Sequence, residues 1–155
     1  MRNLLIALLF AAPAHARPAQ VYVAAGVGLP ELLHAEVGWF AQPRLSVEIH
    51  GGFPILNPLV GLGVTGWLLG QSNEHRPATH SLTVSGRLRL NALYPTMLKT
   101  RGERLGPVLE PLIGYGLLTE NHFLLRVDVG ALLYVDEHDG LSGGPQAVLT
   151  LGYAF

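Results

Sequence analysis

The sequence predicts an all-β chain, an eight-stranded antiparallel up-and-down β-barrel of the transmembrane kind. Three observations carry that expectation. Apolar and polar residues alternate with a period of two over long stretches, as they do in a strand whose two faces meet unlike surroundings. Clusters of Gly, Pro, Asn, Asp and Ser cut those stretches at regular intervals. The chain is 49% hydrophobic and only 14% charged, where soluble proteins carry about 25% charged residues. Past residue 16 no apolar run has the length of a membrane-spanning helix. Apolar surface in excess, with no helix to carry it, fits strands that turn one face to lipid.

The first segment stands apart from the barrel. "MRNLLIALLFAAPAHA" sets Arg2 ahead of an apolar run, Leu4–Ala12, and ends on Ala14-His15-Ala16. That is the layout of a secretory signal peptide with cleavage after Ala16. Residues 1–16 are therefore set aside as a leader, and residues 17–155 form one barrel domain. The apolar core of the leader is too short for a spanning anchor.

Strands are expected near residues 20–29, 34–41, 44–53, 59–70, 79–91, 106–118, 122–136 and 144–155. In the third, Leu45, Val47 and Ile49 face away from Arg44, Ser46, Glu48 and His50. In the fifth, Leu82, Val84, Leu88 and Leu90 oppose Ser81, Thr83, Ser85, Arg87 and Arg89. In the seventh, Leu125, Val127, Val129 and Leu133 oppose Arg126 and Asp128. The fourth, "VGLGVTGWLLG", is so rich in glycine that the facing of Trp67 is ambiguous. Tight connections follow strands two and six ("QP", "TEN"), a moderate one follows strand four, and longer ones follow strands five and seven ("ALYPTMLKTRGERLG", "DEHDGLSGG"). Short turns on one side and longer loops on the other are the habit of membrane barrels, although the connections after strands one and three are short as well.

Parity does not say which face meets water. The polar face carries Glu36, Glu48, Glu110 and Asp128 with Arg44, Arg87, Arg89 and Arg126. Eight strands enclose a space that side chains fill, and enclosed charges must be paired. The chain has one lysine, Lys99, in an expected loop, and arginine suits buried bidentate pairing better than lysine does. The interior is thus expected to hold a charge network of Glu36, Glu48, Arg87, Arg89, Glu110, Arg126 and Asp128. Expected pairs are Arg87 or Arg89 with Glu110, and Arg126 with Glu110. The opposite assignment is a soluble secreted barrel of lipocalin type, with an apolar ligand inside and Leu125, Val127 and Val129 lining it.

Aromatic placement favours the first assignment. Trp39, Tyr115, Phe123, Tyr153 and Phe155 share the apolar parity and fall near one end of the barrel, as a membrane belt does. The chain ends "LTLGYAF", with Leu149, Leu151, Tyr153 and Phe155 at alternate positions. In that ending, and in its eight strands behind a leader, the chain resembles the small outer-membrane β-barrels of Gram-negative bacteria, of the OmpA-transmembrane-domain and OmpX kind. The resemblance implies a monomer in a lipid bilayer bearing lipopolysaccharide, and a C-terminal strand read by the barrel-assembly machinery.

No catalytic site is expected. The lipid A deacylase barrels set a His and a Ser two apart on one strand; here "THSLT" puts His80 next to Ser81, on opposite faces, and no His-x-Ser occurs. No thiol chemistry is available without cysteine. A near-neutral charge without a basic run argues against nucleic acid as a partner. No cofactor and no metal site are expected. His34, Glu36, Glu48 and His50 share one face of neighbouring strands and could hold zinc, but a hydrogen-bonded interior network is the expected role. "DEHDG" (Asp136, Glu137, His138, Asp139) is expected to be a solvated loop. The function expected is that of a non-enzymatic envelope protein, structural or surface-binding, with a plugged interior. A lipid A-modifying enzyme is a further alternative.

Overall fold

A computed structural model describes residues 21–29, 32–53, 59–70, 79–90, 107–136 and 140–155. The expected leader lies outside them. Eight strands, β1 (Val21–Leu29), β2 (Leu33–Gln42), β3 (Leu45–Phe53), β4 (Leu59–Trp67), β5 (His80–Leu90), β6 (Val108–Leu118), β7 (Phe123–Asp136) and β8 (Gly140–Ala154), follow one another around a closed barrel. All neighbours are antiparallel, and β1 closes on β8 with Tyr22 opposite Ala154 and Leu29 opposite Ala147. Pairing runs to the end of the chain, where the Phe155 amide donates to the Val21 carbonyl at 2.7 Å.

Closure leaves no edge strand. It also turns the period-two pattern into an inside and an outside. Exposure alternates along β2 and β5 without a break. The polar parity points inward: Glu36, Glu48, Arg87, Arg89, Glu110, Arg126 and Asp128 are all buried. The apolar parity points outward, where Val129 is 54% exposed and Val127 44%. The lipocalin-type alternative needed those two valines inside.

Two ends can be told apart. The lower end holds the start of β1, the β2–β3 and β6–β7 turns and the β4–β5 connection. The upper end holds the other connections. At the β6–β7 turn the His122 amide bonds the Thr119 carbonyl, and His122 takes a φ of 65°, a conformation that glycine usually supplies. The upper loop expected at 136–144 is shorter than its sequence suggests. Asp136 already pairs with Gly140, and β8 runs from there, so the Gly-Leu-Ser-Gly-Gly stretch is strand. Glycine discourages a strand through entropy, but a long partner in β7 holds this one. The expected loops at 92–106 and 137–139 lie outside the described residues.

Glycines on the inward parity give the barrel its room. Gly38 lies opposite Tyr22, Gly61 opposite His50, Gly63 opposite Glu48 and Gly114 opposite Asp128. At each, a methyl group would collide with the large side chain across the ladder. Small beside large is how a narrow barrel fills its interior.

Candidate functional site

The interior is built in levels. The lowest is apolar: Tyr22, Phe40, Trp67, Leu118, Leu124 and Ala154 form one buried cluster. Trp67, ambiguous in the sequence, points inward with no exposure. Its ring sits over Gly116, stacks at a tilt on Phe40 with centroids 5.5 Å apart, and donates from Nε1 to Ser46 Oγ at 3.2 Å. Phe40 in turn meets Tyr22 at 5.6 Å. This level closes the lumen toward the lower end.

Above it lies a charged cluster centred on Arg126. Its Nε meets Asp128 Oδ2 at 2.7 Å, Nη1 meets Glu48 Oε2 at 2.9 Å and Nη2 meets Glu36 Oε2 at 3.0 Å. Arg87 completes the cluster, with Nε on Glu48 Oε1 at 2.7 Å and Nη2 on Glu36 Oε2 at 2.8 Å. All five side chains are fully buried. Uncharged donors fill in around them: Tyr22 Oη donates to Glu48 Oε2 at 2.9 Å, and Thr83 Oγ1 donates to Asp128 Oδ1 at 3.1 Å. Charges this deep persist only when paired and hydrogen-bonded, and guanidinium groups, with five donors in a rigid fork, can serve several carboxylates at once. Gly63 makes the Arg87–Glu48 contact possible, because a methyl there would stand 2.7 Å from Glu48 Cγ and 3.1 Å from Arg87 Cγ.

A third level holds Arg89, paired with Glu110 at 2.7 Å, and the two buried histidines. His34 Nε2 shares a hydrogen bond of 3.0 Å with Thr150 Oγ1, while its Nδ1 and both ring nitrogens of His50 have no partner.

Two expectations need correction. Arg126 pairs with Asp128, Glu36 and Glu48 and not with Glu110. Its register partner on β6 is Gly116, and six residues along a strand is roughly 20 Å. Parity assigns a face, while height is set by the pairing register, which sequence spacing between distant strands does not reveal. Arg44, expected on the polar face of the third strand, stands exposed in the β2–β3 turn instead.

His34, Glu36, Glu48 and His50 do lie on one inward surface, with Glu36 opposite His50. Among the described residues, no three metal-ligating side chains converge as a metal site would require. Trp39, Tyr115, Phe123, Tyr153 and Phe155 are all exposed on the outer face. They lie toward the lower end, with Trp39 opposite Val21 and Tyr153 opposite Phe123. Two histidines not expected in the belt join them: His80 hydrogen-bonds Tyr115 Oη and His122 packs on Tyr153 with centroids 5.9 Å apart. Comparison with protein-family models, with curated proteins and with solved structures finds no match to this chain.

Proposed function

We propose that this chain is a membrane-spanning barrel of the bacterial outer membrane, with a structural or surface-binding role in the envelope and no catalysis of its own. The observation that carries the reading is the inversion of faces. Among the described strands, outward positions hold apolar side chains, glycine or proline, apart from His80 and Gln42 at the lower ends of β5 and β2. Such a surface in water would be an apolar patch far larger than the few hundred Å² that soluble monomers tolerate. In a bilayer it is the surface the solvent requires, and the closed ladder leaves no strand edge open to lipid.

The outward aromatics at the lower end fit one interfacial belt, with ring bodies in lipid and the Tyr115 and Tyr153 hydroxyls toward the headgroups. The lumen favours a structural role over a conducting one. An apolar level and a buried ionic level lie in series across it, and eight strands leave space for side chains and little else. The exported location and the kinship with small outer-membrane barrels rest on the leader-like N-terminus and the architecture. Surface binding would belong to the upper connections.

The test is membrane fractionation followed by gel electrophoresis of unboiled and boiled samples. Recovery with the outer membrane and a mobility shift on boiling are expected. Recovery as a soluble periplasmic or secreted protein would overturn the reading.

A further inference from the structure

The charged cluster around Arg126 does not sum to zero. It contains three carboxyl groups, Glu36, Glu48 and Asp128, and two guanidinium groups, Arg87 and Arg126. The pair above it, Arg89 with Glu110, is balanced within itself. Among the described residues, then, the sealed interior is short of one positive charge, and a net charge at such depth is far more costly than a paired one.

The hydrogen bonds single out which carboxyl is anomalous. Both oxygens of Glu48 are engaged, by Arg87 on one and by Arg126 and Tyr22 on the other. Both oxygens of Asp128 are engaged, by Thr83 and Arg126. Glu36 is different: its Oε2 accepts from Arg87 and from Arg126, while its Oε1 is buried without a donor.

We propose that the interior binds one proton at Glu36 Oε1, so that the folded barrel carries Glu36 as a neutral acid. A carboxylic acid has a hydroxyl to donate and one oxygen left to accept, which matches two donors on Oε2 and none on Oε1. Acceptors stand on the same inward surface. His50 lies opposite Glu36 in the ladder with both ring nitrogens unpartnered, and His34 sits two residues along with Nδ1 unpartnered.

The surroundings of Glu36 are accounted for element by element. From β1, Tyr22 is committed to Glu48. From β3 come Glu48 and His50, and from β5 Arg87 with Arg89 above it. Glu110 on β6 is held by Arg89, and Arg126 and Asp128 come from β7. β4 and β8 contribute Thr65 and Thr150, which do not titrate. A metal ion or a protonated histidine would also supply one positive charge, but among the described residues no set of three ligating side chains is gathered to hold a metal, and no histidine nitrogen donates to Glu36 Oε1.

The experiment is equilibrium unfolding of the folded barrel in lipid as a function of pH, for the wild type and Glu36→Gln. In the unfolded chain a glutamate is ionised above roughly pH 5. If the folded state keeps its proton there, it binds one more proton than the unfolded state, and stability falls as pH rises. The folding constant of the wild type relative to Glu36→Gln should then drop about tenfold per pH unit, until the native state itself releases the proton. Parallel pH profiles for the two proteins would overturn the proposal. A stabilisation by added Zn²⁺ at fixed pH that disappears in Glu36→Gln would also overturn it, by assigning the charge to a metal ion. Should Glu36→Gln fail to fold, infrared spectroscopy of the wild type labelled with ¹³C-glutamate decides the matter: a protonated-carboxyl band is expected at neutral pH, and its absence refutes the proposal.

Discussion

The lowest level of the lumen is closed by apolar side chains around Trp67, and the level above it by charged ones around Arg126. Both are fully buried, yet they respond differently to change. Dispersion and burial at the lower level are non-directional, so similar volumes can replace one another. The ionic level is directional and mutually dependent: each guanidinium serves several carboxylates, and removing one member leaves the rest uncompensated. The comparison separates two ways of filling a narrow barrel, one tolerant and one exacting.

The largest effect should come from the exacting level. Arg126→Ala leaves Glu36, Glu48 and Asp128 without their shared partner. Its expected cost is about 5 kcal/mol, the upper end for a broken buried pair, read by denaturant unfolding in lipid. At the tolerant level, Trp67→Ala should cost about 3–5 kcal/mol as a cavity mutation, while Trp67→Phe recovers most of that loss. Equal costs for those two Trp67 variants would break the distinction. Next comes Glu110→Ala, which strands only Arg89 and should cost about 3 kcal/mol; an unchanged melting temperature would contradict an enclosed pair there.

The smallest effects sharpen the comparison at single methyl groups. Gly63→Ala intrudes on the Arg87–Glu48 contact, and overpacking of this kind costs about 1–3 kcal/mol. Gly86 faces outward, with no atom within 4 Å of an added Cβ. Gly86→Ala should therefore stay within about 0.5 kcal/mol of the wild type. Similar losses for both glycines would mean that the inward space is not the reason for Gly63.

Most of the fold was legible because a barrel strand writes its two environments into alternate residues. Parity groups Glu36, Glu48, Arg87, Arg89, Glu110, Arg126 and Asp128 on one face, and their charge balance with the aromatics of the opposite parity assigns that face to the interior. What parity omits is height, and so the Arg126 pairing had to wait for the register that places it beside Gly116. Trp67 was undecided because glycines on both sides of it erase the contrast between faces. Inward glycines become intelligible only in three dimensions, where Gly116 of β6 lies against the Trp67 ring and Gly61 of β4 against His50. The early start of β8 was hidden for a related reason, since Gly143 and Gly144 look like loop until Leu133 and Leu132 are found opposite them. The odd carboxyl, Glu36, has no sequence signature: it emerges from counting donors around each oxygen.

The two tryptophans test the orientation of the whole molecule, since Trp39 is 40% exposed on the outer face and Trp67 is fully buried inside. Fluorescence of Trp39→Phe and Trp67→Phe should be compared in bilayers containing brominated lipid. Strong quenching is expected of Trp39, the reporter left in Trp67→Phe, and weak quenching of Trp67. Trp39 quenched by aqueous acrylamide and untouched by brominated lipid would contradict that expectation, for the apolar face would then not be in the membrane.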